Sequence, residues 1–434
     1  MYYHVLSQRL HDVEVGSHAR LYAYPLDAVP VHWRQIYSDV QILSAFLAII
    51  RPLEEQRSKE HQRQAFLKAL DEVVARLDRA LIISGGAGRI LGKTWIDKAM
   101  ELIAEFCTQF PLQVSQAEFS FEEPYGRPRL TSPCERHHGW DLARFEMYMS
   151  HGLFNALETG AIGPKPVVFT DLTGGGWPAL LKWCRPQYLF HLTLGGRRLV
   201  PVEIGRSYVD DSWGQELMPF KEFVTRFIDS TLTVTGVASA ASGLADSRPP
   251  SAAQTGYLAQ HDLFQQIPEL RNDILVPDFC WAQVPALDPI TGYEKQPKLD
   301  MPRLNAWFGP AGTNSPLHTD PYHNLFCQVV GTKYVRLYPP QASKAMRPMA
   351  TSDGGIDMSN TSSIDLLAVE GWAGAVDDSN EEAEEQLREI RDSLKGVEFF
   401  ECILQPGDTL LIPMGWWHFV RSLSVSFSVS FWWN

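Results

Sequence analysis

Paired cysteines are missing from this chain. Its six, Cys107, Cys134, Cys184, Cys280, Cys327 and Cys402, are scattered with no C-x-x-C pair, which excludes a zinc ribbon or a dense disulfide framework and leaves reduced, buried thiols as the expectation. Long apolar runs are missing too. No window offers about 18 unbroken apolar residues for a membrane span, and "MYYHVLSQRLHDVEVG" lacks the apolar stretch of a secretory signal. No membrane partner and a nuclear or cytoplasmic location are expected. Basic residues are in deficit, 38 Lys and Arg against 51 Asp and Glu, for a formal net charge of −13. That balance argues against a broad nucleic-acid surface and favours a cationic partner.

What is present is a chain of 434 residues, 45% hydrophobic, long enough for one large core and a smaller companion. From about Val31 to Phe110 the spacing is helical: Phe66, Leu70, Val73, Leu77 and Leu81 recur at intervals of three or four with charges between them. "SFEEPYGRPRLTSPCERHHGW" is proline-rich and reads as a connector. From Val167 onward, short apolar runs such as "VVFTD", "RRLVPVEIG", "NAWFGP", "KYVRLYPP", "TLLIPMG" and "SVSFSVSFWW" are punctuated by Gly, Pro and Asp, the pattern of a barrel or jelly roll. In the last run Val425, Phe427, Val429 and Phe431 alternate with serines. Two stretches interrupt the strands. "ASAASGLADSRPPSAAQTG" reads as a mobile loop. The acidic insert 377–396 reads as a solvated helix, with Ser379 and Glu382 as a capping box and Gly396 as its stop.

The chemistry concentrates in "SPLHTDPYHNLFCQVVGTKYVRLYPP". Residues i and i+2 of a strand share a face, so His318 and Asp320 can aim an imidazole and a carboxylate at one point. His418, in "PGDTLLIPMGWWHFVRS", follows a Pro-Gly-Asp turn and an apolar strand and is the candidate third ligand. Two histidines and one carboxylate on one side of a metal leave positions open, the arrangement of non-haem Fe(II) oxygenases; structural zinc would want four closed ligands. Alternation along "KYVRLY" places Lys333 on the same face as Val335 and Leu337, toward the interior, where an ammonium needs an anion. A 2-oxoglutarate molecule supplies one: its keto-acid end chelates iron and its distal carboxylate reaches Lys333, with Asn324 and Ser315 near in sequence.

"WFGPAGTNSPLHTDPYHNLFCQVVGTKYVRLYPP" followed by "PGDTLLIPMGWWHFVRSLSVSFSVSFWW" resembles the JmjC (Jumonji C) Fe(II)/2-oxoglutarate oxygenases, closest to the lysine-specific demethylase 8 branch, also called jumonji domain-containing protein 5. "GYLAQHDLFQQIPEL", "WPALLKW" and "VPVEIGRSY" are similar to that branch as well. The resemblance implies an α+β chain: a double-stranded β-helix, the cupin-like JmjC jelly roll, over 161–434, preceded over 1–160 by an α-helical domain with the proline-rich connector. It implies iron on His318, Asp320 and His418, the distal carboxylate of 2-oxoglutarate on Lys333, and Tyr257, Ser315 and Asn324 in support. O2 completes the cofactor set. The segment between Asp320 and His418 departs from the pattern by the acidic helix, which bears on substrate entry more than on iron binding.

The implied reaction is oxidative decarboxylation of 2-oxoglutarate to succinate and CO2 with hydroxylation of a C–H bond in a basic protein or peptide, an arginyl side chain first. The alternative is histone methyl-lysine demethylation through hydroxylation of the N-methyl carbon. Histone, ribosomal and other chromatin proteins are the candidate partners. Glu203 of "VPVEIG" can pair with a cationic side chain, and Trp307 of "AWFGP" can stack on a guanidinium; a strand-end carboxylate and a core aromatic are the plain readings of the same residues. Two other classes compete. "AGRILGKT", residues 87–94, nearly fits a phosphate-binding loop, but Ala87 replaces its first glycine and the run before it keeps helical spacing, so a turn between helices is expected rather than a P-loop NTPase. A non-catalytic metal-holding adaptor is the other. His137 and His138, and Trp416 and Trp417, read as structural.

Overall fold

The computed structural model describes every residue except 1, 26–27, 56–57, 111, 161, 175, 206–212, 236–254, 286–295, 352–356 and 373–380. The stretch read as a mobile loop lies, up to residue 254, outside the described residues, as does the Ser379–Glu382 capping pair. The chain divides into two compact units: Met1–Glu118, Arg185–Pro201 and Leu217–Ser251 form one, and Phe119–Cys184, Val202–Glu216 and Ala252–Asn434 the other. No helix of the described residues is long and apolar enough to cross a membrane.

The first unit is built on α1 (Tyr2–Leu21), α2 (Val31–Glu55), α3 (Lys59–Ser84) and α4 (Lys93–Cys107). The stripe on α3 does what its spacing predicts: Leu70, Val73 and Leu77 are buried, and Phe66 and Leu81 pack against them with Ile42, Ile96 and Ile103 from the neighbouring helices. The Ser58 side chain caps α3 by accepting from the His61 N–H at 3.2 Å, and Gly85 ends it in the left-handed region at φ 69°. Residues 87–94 therefore follow a helix, not a strand, and Lys93 is held by Asp97 at 2.6 Å; the phosphate-loop context is absent. Asp78, fully buried on α3, accepts a forked pair from Arg198 at 2.8–3.0 Å and the Leu199 N–H at 2.7 Å.

The strands, in chain order, are β1 (Gln113–Val114), β2 (Glu135–His137), β3 (Val167–Phe169), β4 (Leu199–Ile204), β5 (Gly214–Pro219), β6 (Val234–Thr235), β7 (Gly256–His261), β8 (Arg303–Gly309), β9 (Asn314–His318), β10 (His323–Val330), β11 (Lys333–Tyr338), β12 (Phe400–Leu404), β13 (Thr409–Ile412), β14 (Trp417–Ser422) and β15 (Ser426–Trp433). One sheet runs β2-β3-β13-β10-β15-β8-β7-β4-β5 and a second β12-β11-β14-β9. Val168, Phe326, Leu410 and Ile412 of the first meet Val335, Leu337, Leu404 and Val420 of the second in one core, the inside of a jelly roll. Tyr334, Tyr338 and Phe419 belong to a separate outer cluster, so alternation along β11 sorts its residues as the sequence predicts, with Lys333 inward.

Two segments differ from their sequence reading. The proline-rich connector is part of the sheet: β2 pairs parallel with β3, Cys134 is buried in the barrel core, and Thr131 and Ser132 donate to the Glu401 carboxylate. Backbone pairing between this segment and β12, unreadable from composition, overrides the Pro content. The acidic helix, Glu381–Leu394, is docked rather than wholly solvated, since Leu387, Ile390 and Leu394 fall on one side and pack against the outer cluster. On β15 both faces are buried: Phe427 meets Trp183 at 4.6 Å, while Ser426 and Ser428 bond Gln328. Cys134, Cys280, Cys327 and Cys402 are buried thiols, and Cys107 and Cys184 are half-buried ones.

Gly331 turns β10 into β11 at φ 68°, where an added Cβ would overlap the Val425 carbonyl. Gly331→Ala is expected to cost at least ~3 kcal/mol from backbone strain and overpacking. Gly16→Ala, in α1 with no atom within 4 Å of the new methyl, should instead stabilise by about 0.5–1 kcal/mol. Urea titration of the two variants checks the contrast.

Candidate metal centre

β9 and β14 lie side by side with His318 directly opposite His418. Asp320 sits two residues past His318, where the Gly415 N–H holds its carbonyl at 3.2 Å. The result is a convergence: His318 Nε2 is 3.8 Å from Asp320 Oδ1, His418 Nε2 is 3.5 Å from Asp320 Oδ2, and the two imidazole centroids are 4.2 Å apart. One donor atom from each falls within 4.8 Å of the others, close enough for the three to share a single ion.

The tautomers are fixed by the backbone. His318 Nδ1 lies 2.7 Å from the Pro316 carbonyl and His418 Nδ1 3.0 Å from the Trp416 carbonyl. A carbonyl only accepts, so each Nδ1 carries the hydrogen and each Nε2 turns its lone pair to the centre. Burial, and then the nearby His318, hold His418 well below the usual imidazole range, so it stays neutral. Burial also raises the Asp320 carboxyl, against the opposing pull of His318 and Asn324. A cation at the centre offsets that desolvation. The trio has the composition of a ferrous site with open positions, and no cysteine takes part.

Lys333 is fully buried, and its Nζ donates to the Tyr257 hydroxyl at 3.1 Å over the ring of Phe326. No carboxylate of the described residues pairs with it, and burial pushes its pKa down to about 7. Along β11 it stands four residues from Leu337, which is opposite His418, a backbone distance of about 13 Å. Ser315 also turns inward: the β14 to β9 register slips between His418 and Val420, so His318 and Ser315 share a face three residues apart. Ser315 and Tyr257 share a hydrogen bond. Asn324 donates weakly to Asp320 at 3.5 Å, and its Oδ1 is buried without a hydrogen-bond partner. A buried ammonium and an unsatisfied amide beside a metal-ligand trio fit a dianionic chelating cosubstrate.

The structure brings the two remaining predicted residues to Tyr257 as well. Glu203 on β4 is opposite Tyr257 on β7, half-buried, with its carboxyl raised by burial and held by the Trp213 side chain. The Trp307 ring lies 6.1 Å from the Tyr257 ring and its Nε1 donates to Ser430 at 2.9 Å. Trp213 escaped the sequence reading because no motif surrounds it. So did His323, a buried imidazole pushed down to about 4, whose Nδ1 accepts from the Met414 N–H at 3.0 Å and steadies the turn before His418. Trp416 and Trp417 pack on opposite sides of the sheet, as structural residues would.

A jelly roll with an inward His, Asp and His trio is the architecture of the cupin-type oxygenases. The cupin-like domain model matches residues 159–434, and the chain belongs to that family, in its JmjC class, whose cofactors are Fe(II), 2-oxoglutarate and O2. Lysine-specific demethylase JMJ30 of Arabidopsis thaliana is 39% identical over 62% of this chain and 50% of its own length. Lysine-specific demethylase 8 of Xenopus tropicalis is 38% identical over 62% of this chain and 48% of its own. More distant is the human bifunctional peptidase and (3S)-lysyl hydroxylase JMJD7, 26% identical over 59% of this chain and 74% of its own. The chain spans about half the length of the first two.

Two expectations follow from the geometry. His318→Ala and His418→Ala should each lower Mn(II) affinity, read by electron paramagnetic resonance titration, by at least ~100-fold. Lys333 supplies a pH dependence whose sign is set: its folded pKa of about 7 lies below the ordinary 10.5, so between those values the unfolded chain binds the extra proton and stability rises with pH. Lys333→Met should abolish that slope in the metal-free protein. At neutral pH and below it should stabilise the fold by roughly 2–5 kcal/mol, measured by urea titration across pH 6–10.

Proposed function

We propose that the chain is an Fe(II)- and 2-oxoglutarate-dependent oxygenase that hydroxylates a side chain of a basic protein or peptide. One observation carries this reading: the fully buried, anion-free ammonium of Lys333 faces the same barrel interior as His318, Asp320 and His418. When bound, the ferrous ion with 2-oxoglutarate and O2 supplies the oxidising chemistry, giving succinate, CO2 and one oxygen atom inserted into a substrate C–H bond. The chain supplies placement. His318, Asp320 and His418 hold the metal; Lys333, Tyr257 and Ser315 receive the distal carboxylate, and Asn324 satisfies its amide on the bound molecule.

An arginyl side chain is the favoured target. The Glu203 carboxylate, fixed by Trp213, offers two acceptors to a guanidinium fork, and Trp307 beside Tyr257 offers a face on which a planar cation stacks. Demethylation of methyl-lysine is the second reading, supported by the names of two relatives; it begins with the same hydroxylation, at an N-methyl carbon.

Product analysis separates the two. With Fe(II), 2-oxoglutarate and arginine-containing basic peptides, the expected product is a peptide heavier by one oxygen atom, with no formaldehyde. Formaldehyde from methyl-lysine peptides without arginine oxidation overturns the arginyl assignment. Glu203→Gln should lower kcat/KM for the peptide by about tenfold, equivalent to ~1.4 kcal/mol, while leaving peptide-independent succinate formation unchanged.

A further inference from the structure

The four-stranded sheet carries a polar cavity on its outer face, opposite the side that bears His418 and Lys333. It encloses 470 Å³, within the range of small-molecule sites of ~300–1,000 Å³. Four cations line it, Arg129, Arg336, Arg391 and Lys395, against one carboxylate, Glu370. That excess stands out on a chain whose net charge is −13.

The cations are not equivalent. Arg336 is 8% exposed and is neutralised by Glu370 at 2.5 Å and Glu401 at 3.5 Å, while its Nε donates to the Tyr334 hydroxyl at 2.8 Å. It is a fixed wall. Arg391 is aimed by its Nε, which donates to the Val369 carbonyl at 2.7 Å, and its nearest carboxylate among the described residues, Glu384, is 4.0 Å away. Arg129 makes no hydrogen bond or ion pair among the described residues. Among the described residues Lys395 pairs only with Asp392, in an exposed pair three residues apart, which contributes little. Trp372 and Phe399 form the apolar side, each with the Arg336 guanidinium over its ring, at 5.6 and 4.8 Å.

We propose that this cavity binds a small organic anion, with a phosphate or carboxylate group between Arg129, Arg391 and Lys395 and a planar body against Trp372 and Phe399. Forked guanidinium groups suit such oxygens, and a pre-fixed Arg391 loses little freedom on binding. The site is separate from the reaction assigned to the barrel interior.

Adenosine 5′-monophosphate is a suitable probe, with adenosine as its neutral counterpart and inorganic phosphate as charge without a ring. Ligand-induced shifts in thermal unfolding of the full chain at low ionic strength are the readout. The monophosphate should raise the midpoint, its apparent Kd weakening with salt, and should protect more than phosphate; adenosine should have no effect. Arg129→Gln/Lys395→Gln, at two exposed positions remote from the metal ligands, should leave the unliganded midpoint unchanged and weaken the monophosphate at least tenfold. The proposal is overturned by no response to the monophosphate, by an equal response in the double variant, or by equal protection from adenosine or phosphate.

Discussion

Everything in the barrel's chemistry depends on one strand pairing. β9 and β14 are separated by about a hundred residues of chain, yet their hydrogen-bonded register sets His318 against His418. A slip of one residue would turn His418 to the outer face with Phe419 and Arg421. Two features resist that slip. β14 is also fixed to β11 over six residues, from Lys333 opposite Ser422 to Tyr338 opposite Trp417. Its two faces belong to different apolar cores, Val420 inside and Phe419 outside, so a slip would bury the wrong side chains in both.

The interior that results is polar at a cost in stability. Lys333, Asn324, Gln328, Asp320 and three serines of β15 are all buried. Gln328 is satisfied by Ser426, Ser428 and two backbone carbonyls, so that part of the wall is a closed network. Lys333 and Asn324 are the incompletely matched members, and both face the barrel interior. Two unmatched groups in an otherwise satisfied wall mark a place built to receive a ligand, because an unmatched polar group in a merely structural core brings only destabilisation.

Much of this was legible in the chain. Period-two alternation placed Lys333 with Val335 and Leu337, the 3.6 period laid out α3, and H-x-D with a distant histidine after a Pro-Gly-Asp turn identified the trio. Tyr257 was legible only through family resemblance, and Ser315 only by its nearness in sequence and that resemblance. Alternation alone would place Ser315 with Leu317, on the outer face, and the irregular register that re-aims it has no signature in "TNSPLH". β2 was hidden for a related reason: a strand of three residues at a sheet edge is specified by its partner, not by its own composition. Trp213 and Glu203 lie ten residues apart with an undescribed stretch between them, and only folding reveals their contact.

The expansion between Asp320 and His418 explains itself once the pairings are known. The inserted chain leaves after Tyr338 at the end of β11 and returns at Phe400 at the start of β12, and Leu337 and Phe400 are partners in that antiparallel pair. The insert is therefore one long hairpin connection whose ends are already together, and lengthening such a loop costs only ~0.6 kcal/mol per doubling. Its apolar residues, Leu366, Leu367, Leu387 and Ile390, pack back onto Tyr334, Tyr338 and Phe419 and offset that cost. Because the added mass sits on the outer face, the register of β11 with β14 and of β14 with β9 is untouched. The metal ligands are insulated from an insertion that falls between them in sequence, and the new surface it creates is free to acquire a role of its own.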